Sequence, residues 1–298
     1  MNPSVVSPFP FFPVFLQKIL ALGGSFFRAP AALVREVPSE LMDAAQYPVI
    51  LTYHSISEGD SPLKVSLSLF TEQMEWLKAN VRVVPLGEIV AALPGRRPLP
   101  ERAVVLTFDD GFRDFYSSAA PVLRRLRLPA TVFLPTGYCG KSNCWPSQPA
   151  WVSREALLDW KQVTELVQDG FKIGAHGINH SDLTTLSLEE AEQEIFGSKT
   201  QIEEHTACQV EFFAYPYGRW SPTLRALVLG NYRAACATAA GVVEPDADPF
   251  ALPRADAHYV RHPASFRMLF TTKFAAYIAA RRFIRRMRRQ PEGFYARI

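Results

Sequence analysis

Ala103-Val104-Val105-Leu106-Thr107-Phe108-Asp109-Asp110-Gly111 is the stretch on which the reading of the chain turns. Residues 103–108 are apolar or β-branched throughout, as in a strand buried on both faces of a parallel sheet. The run then ends in two adjacent carboxylates. Neighbouring acids repel unless a cation or a shared proton relieves them. If one of them ligates a metal, the other can stay ionised beside it and accept a proton from attacking water. Gly111 allows a tight turn. The competing reading of Asp-Asp-Gly alone is a plain turn and helix cap.

Working outward, short runs rich in Val, Ile, Phe and Thr, several of them apolar on both faces, recur in Val49–Tyr53, Ala130–Leu134, Phe171–Ala175, Val210–Tyr215 and Arg233–Thr238. Between these runs lie helical patterns over Leu69–Ala79, Leu86–Leu93, Ser117–Leu126, Arg154–Gln168, Ser187–His205 and Ser221–Leu229. Ser187 and Glu190 form a capping-box pattern that fixes one helix start. Strands alternating with helices predict an α/β barrel or a doubly wound sheet. From Pro135 to about Ala150 runs a loop of the length that usually carries function.

The polar residues follow the strands. His54 comes after Leu51-Thr52-Tyr53, His176 after the run ending at Ala175, and Tyr215-Pro216-Tyr217-Gly218 after Phe213-Ala214. In α/β barrels the C-terminal strand ends form the active-site face, so these groups should converge. His176 and His180 are four apart, a spacing that lets both imidazoles reach one ion. With Asp110 they make a set of two histidines and one carboxylate, which leaves open positions and suits a catalytic metal. An unperturbed imidazole titrates near neutrality, which would let a histidine such as His54 protonate a leaving amine. A backbone N–H in Phe213–Gly218 can serve as an oxyanion donor, and aromatic residues such as Tyr215 and Trp145 can wall a sugar ring. Arg254 and Asp256 can pair with Asp109 or His54, although Leu252-Pro253-Arg254-Ala255-Asp256 by itself reads as a surface ion pair.

Thr107-Phe108-Asp109-Asp110-Gly111 followed by His176-Gly177-Ile178-Asn179-His180 resembles the polysaccharide deacetylase family (carbohydrate esterase family 4, the Nod-factor deacetylase homology domain) over roughly residues 47–258. The resemblance implies a distorted (β/α) barrel that hydrolyses N-acetyl groups from an N-acetylhexosamine in a glycan or glycolipid. It implies Asp109 as general base, a divalent ion, usually zinc, on Asp110, His176 and His180, and the N–H of Tyr217 in the oxyanion hole. Two departures stand out. Ala214 occupies the place of the arginine in the family's Arg-x-Pro-Tyr motif, and no C-terminal Leu-x-His supplies an acid. Both departures resemble the poly-N-acetylglucosamine deacetylase branch, whose permuted order puts the acid histidine on an N-terminal strand, as His54 is here. On this reading Arg254 replaces the missing arginine, while His258 and His262 are rival acids.

The chain ends differ from its middle. Net charge is +3, yet residues 1–35 hold Lys18, Arg28 and Arg35 without an acid, and residues 262–298 hold nine basic side chains against Glu292. The acidic middle does not suit nucleic acid. Residues 1–46 form an apolar extension broken by Pro3, Pro8, Pro10 and Pro13, read as interfacial and not as a signal peptide. Residues 259–298 read as a basic amphipathic helix, strongest over 266–290, lying on an anionic membrane surface. A cytoplasmic enzyme, peripheral at the inner membrane face, is the expected address. The four cysteines show no disulfide framework or zinc-site spacing. Two further functions fit the same residues: an amidohydrolase acting on a non-sugar C–N bond, and a non-catalytic glycan-binding or membrane scaffold.

Overall fold

In the computed structural model, residues 45–287 are described except 94, 96, 150 and 151, and for 281–287 the backbone only. Eight parallel strands run in chain order: β1 Val49–Tyr53, β2 Arg82–Val83, β3 Ala103–Phe108, β4 Thr131–Leu134, β5 Lys172–Ala175, β6 Phe212–Ala214, β7 Ala234–Ala240 and β8 Leu252–Asp256. Sheet order is β1-β8-β7-β6-β5-β4-β3-β2, and β1 also pairs with β3 from Val49↔Val104 to Tyr53↔Phe108. That pairing closes a seven-stranded barrel. The two-residue β2 sits outside the ring, on the free lower part of β3 at Ala103 and Val104.

Closure gives every strand an inside and an outside. Val49, Leu51 and Tyr53 of β1 and Val104, Leu106 and Phe108 of β3 pack in the outer layer with the helices. The alternate residues Ile50, Val105, Phe133, Phe212, Cys236 and Leu252 form a second cluster in the interior, as the two-residue side-chain period requires. The helices are α1 Leu67–Asn80, α2 Leu86–Ala92, α3 Ala120–Leu126, α4 Trp160–Gln168, α5 Leu188–Thr206, α6 Pro222–Leu229, α7 Pro263–Phe266 and α8 Thr272–Met287. Leu86, Ile89 and Val90 of α2 join the interior cluster, so this helix plugs the barrel at the end away from the strands' C-termini. The expected distorted (β/α) barrel is the fold that forms, and the expected capping box of Ser187 and Glu190 starts α5.

Three sequence expectations need correction. The helix read over Arg154–Gln168 begins only at Trp160, where Asp159 and Gln162 make a capping box. Residues before it run extended, with Ala156 bridged to Ser142 and Leu157 to Phe112. Leu252–Asp256 is a strand and not a surface segment. Its pairing to β7 is irregular between Cys236↔Leu252 and Ala240↔Arg254, which tolerates the missing N–H of Pro253. Finally, the helix read over 266–290 is broken. Phe270 has φ +64° between α7 and α8, and Leu269, Phe270, Phe274 and Ile278 are buried in the outer core.

These four of the apolar side chains expected to enter a membrane are therefore spent on the barrel. The side chains of Arg281–Met287 and all of residues 288–298 lie outside the described residues, as do residues 1–44 of the N-terminal extension. No helix among the described residues is long and apolar enough to cross a membrane. All four cysteines are free thiols.

Candidate active site

The interior parity of the strands carries the site. His54 after β1, Asp109 after β3, His176 after β5 and Arg254 in β8 all continue the inward-facing series, and all four line one pocket with Asp110, His180 and Tyr217. Asp109, Asp110, His176, His180 and Arg254 are each 2–6% exposed. Such burial of charge is tolerated only where every charge is paired.

Asp109 is paired by Arg254, whose Nη1 and Nη2 donate to its two carboxylate oxygens at 2.8 and 2.7 Å. Arg254 Nη1 also donates to Thr107 Oγ1 at 3.4 Å. Its Nε donates to the carbonyl of Ala237 at 2.9 Å, a residue within the irregular stretch of β7. Fork-to-fork geometry of this kind is the strongest form of the ion pair. Burial alone would raise the Asp109 carboxyl. The Arg254 guanidinium, with His176 and His54, more than reverses this and holds it below its ordinary range.

Asp110 faces the two imidazoles. Its Oδ1 lies 3.5 Å from His176 Nε2 and 3.2 Å from His180 Nε2, and a ligand atom from each of the three lies within 4.8 Å of the others. Burial raises its carboxyl too, but the histidines beside it bring it well below the usual value. His176 Nδ1 donates to the carbonyl of Ala214 at 2.7 Å, which turns Nε2 towards Asp110. His180 Nδ1 lies 3.1 Å from Tyr217 Oη, which in turn is 2.6 Å from Ser147 Oγ. Ligating histidines are normally oriented through the other nitrogen in this way. The donor set, its spacing and the fixed rings fit one divalent ion.

The backbone under these residues is unusual. Asp110, His180 and Tyr217 adopt φ of +67°, +53° and +59°, a left-handed region that costs a side-chain-bearing residue of order 1–3 kcal/mol and clusters at functional sites. Gly218, at φ +66°, has no room for a side chain: a Cβ there would lie 2.0 Å from Thr238 Oγ1. Gly218→Ala is expected to lower stability by more than about 1 kcal/mol, read as a drop in the urea midpoint.

Trp145 comes from the Pro135–Ala150 loop and lies over His180 with ring centroids 4.2 Å apart. It lines the pocket, as does Asp256, the carboxylate read beside Arg254. Tyr215 does not. It has the outward parity, is fully buried in the outer core, and donates its hydroxyl to the carbonyl of Phe250 at 3.0 Å, so the expected sugar-facing role is corrected. Neither His258 nor His262 lines the pocket that His54 lines. Gln148, Pro149 and Thr238 are pocket residues the sequence reading missed. Thr238 had a signal in its inward parity along β7; the two loop residues had none.

Residues 96–231 match the family model described as polysaccharide deacetylase. The Bacillus subtilis (strain 168) protein YxkH, named for the polysaccharide deacetylases, is 32% identical over 208 residues, or 69% of each chain. The poly-beta-1,6-N-acetyl-D-glucosamine N-deacetylase of Escherichia coli (strain K12) is 34% identical over 133 residues, 40% of this chain and 19% of that protein's length. Among solved structures, IcaB from Ammonifex degensii superposes with a TM-score of 0.64 at 26% identity, covering 77% of this chain and 97% of that one. The Streptococcus pyogenes deacetylase PplD gives 0.61 at 27% identity, covering 70% and 92%.

Proposed function

The chain belongs to the polysaccharide deacetylase family and is a hydrolase of carbon–nitrogen bonds other than peptide bonds; on that premise we propose that it removes acetyl groups from N-acetylhexosamine units of a glycan, using one divalent ion. The observation that carries this reading is the buried Asp110–His176–His180 group beside a second buried carboxylate kept ionised by Arg254. In this proposal Asp110 and the Nε2 atoms of His176 and His180 hold the ion. When bound, it supplies Lewis acidity to the acetyl carbonyl and to the attacking water, so that a weak base suffices.

Asp109 is the proton acceptor. Each carboxylate oxygen keeps a lone pair beyond the one Arg254 occupies, and its lowered pKa keeps it ionised throughout the neutral range. Tyr217 offers its N–H to the developing oxyanion, its left-handed backbone setting that direction. His54, at the end of the strand paired with the one that delivers the base, gives a proton to the amine as the C–N bond breaks, so acetate and the free amino sugar leave. Trp145 forms one apolar wall of the pocket against the substrate. The names of the relatives make β-1,6-linked N-acetylglucosamine oligomers the first substrate to try.

The test is acetate release from β-1,6- and β-1,4-linked N-acetylglucosamine oligomers and from lipid- and nucleotide-linked N-acetyl sugars, before and after chelation. Release from at least one glycan, abolished by chelator and restored by Zn²⁺, is the expected result. Undiminished release after complete metal removal would sink the metal assignment. Turnover confined to cyclic amides would establish the amidohydrolase reading instead.

A further inference from the structure

Glu194 lies in the second turn of α5, outside the pocket, and is 5% exposed. No strand end leads to it, and no part of the chemistry above uses it. Its Oε2 accepts the backbone N–H of Ile178 at 2.7 Å and of Asn179 at 2.9 Å. Its Oε1 accepts Asn179 Nδ2 at 2.6 Å. All three donors belong to the loop between His176 and His180.

That loop is gripped from the other side as well. The carbonyls of Gly177 and Ile178 accept the N–H groups of Thr136 and Gly137 at 3.1 and 2.9 Å, so main chain holds one edge and Glu194 the other. The fit is close at two glycines. Gly177 has φ +75°, and a Cβ there would lie 2.8 Å from Glu194 Oε2. One turn along α5 from Glu194, a Cβ on Gly197 would lie 2.7 Å from Ile178 Cδ1. Glu194 and Gly197 share a helix face and together seat Ile178.

The loop has to hold His180 at φ +53°, a conformation that persists only when its surroundings over-determine it. A buried carboxylate is an expensive way to fix a short loop unless fixing it matters. We propose that Glu194 is a positioning residue for the metal centre: by collecting the loop's N–H groups it fixes the two imidazoles relative to each other before any ion arrives. The inference rests on the assignment of a divalent ion to Asp110, His176 and His180. It concerns the loop's geometry and not the charge of Glu194.

Three substitutions separate these. Glu194→Gln keeps an acceptor for both backbone N–H groups, and Asn179 can turn its amide to match. Glu194→Asp keeps the charge but withdraws it by one methylene. Glu194→Ala removes every acceptor. Each full-length protein is stripped of metal, and its Zn²⁺ dissociation constant is measured by competition with a chromophoric chelator, alongside Tm and hydrogen exchange of the metal-free form.

Glu194→Gln should bind within about threefold of wild type. Glu194→Asp and Glu194→Ala should bind about 10–100-fold more weakly, with faster exchange at Ile178 and Asn179 before metal is added. If Glu194→Ala does not fold, the Gln and Asp proteins decide the matter. Equal dissociation constants in all folded proteins overturn the inference, even if Tm falls. Equal losses in Gln and Asp overturn it too. A wild-type protein that binds no Zn²⁺ instead overturns the ion assignment on which it rests.

Discussion

Asp109→Asn lowers kcat/KM by about 10²–10⁴-fold, the range a positioned general base contributes. The amide is neutral at every accessible pH and cannot accept the proton of attacking water. Asp110, His176 and His180 are untouched, so Zn²⁺ binding by the variant should stay near wild type. From sequence alone this variant would be expected to fold as well as the parent. The structure changes that expectation, because Asp109 is the counter-ion of Arg254 at 2.8 and 2.7 Å inside the barrel. An asparagine turns one N–H towards the guanidinium and leaves its charge buried without a partner. Breaking one side of a buried pair costs about 3–5 kcal/mol. Activity must therefore be compared on protein shown to be folded, by circular dichroism and thermal melting. Near-parental kcat/KM in folded, metal-loaded Asp109→Asn would refute the base assignment.

Arg254→Met is the second large effect, and its signature is pH dependence. In the parent, burial raises the Asp109 carboxyl and Arg254 overcomes this, so the folded pKa lies below the ordinary value. The pair's stabilisation is present above the unfolded carboxylate value of about 3.9 and is lost as pH falls through the lower folded value. In Arg254→Met the burial effect stands with no guanidinium against it, and the folded pKa rises above the unfolded one. The sign reverses. Destabilisation of about 3–5 kcal/mol is fully present above that raised pKa and fades as pH falls towards the unfolded value. Urea unfolding at pH 5 and pH 8 should show the larger deficit at pH 8. The acid limb of the kcat/KM profile should move to higher pH for the same reason, and an unmoved limb would show that Arg254 does not set the protonation of Asp109. The double variant Asp109→Asn/Arg254→Met should lose less than the two single losses summed, since the second change removes the charge that the first one stranded.

The difference between Tyr215 and Tyr217 shows where sequence reading stops. Residues 212–215 are apolar on both faces, so the alternation that identifies a half-buried strand says nothing about which parity faces the interior. Closure of the ring through β1 and β3 settles it. Tyr215 falls outside, among the helices, and Tyr217 reaches the pocket only because Pro216–Gly218 forms a tight turn with Tyr217 at positive φ. The same ambiguity hid Leu252–Asp256. A strand that carries an arginine, an aspartate and a proline lacks the composition of a buried strand, and it is stable only where a barrel interior offers those charges their partners. The break at Phe270 escaped notice for a related reason, since apolar residues at helical spacing look alike whether they cover a barrel or a membrane.

The sequence by itself determined the strand–helix alternation, which left a barrel and a doubly wound sheet open until the family resemblance chose the barrel. It also determined the Thr-Phe-Asp-Asp-Gly and His-x-x-x-His elements at strand ends and the family they resemble. These are local patterns, in which a handful of consecutive residues contain both the strand and the group it delivers. Tertiary structure decided that Arg254, for which the sequence left Asp109 and His54 open as partners, holds Asp109 ionised, and it alone decided what fixes the loop between the histidines. Arg254 meets Asp109 across 145 residues of chain, and Glu194 meets Ile178 from a helix 16 residues further on. A carboxylate and its counter-charge interact through space and not along the chain, so no spacing rule connects them until the ring of strands has closed.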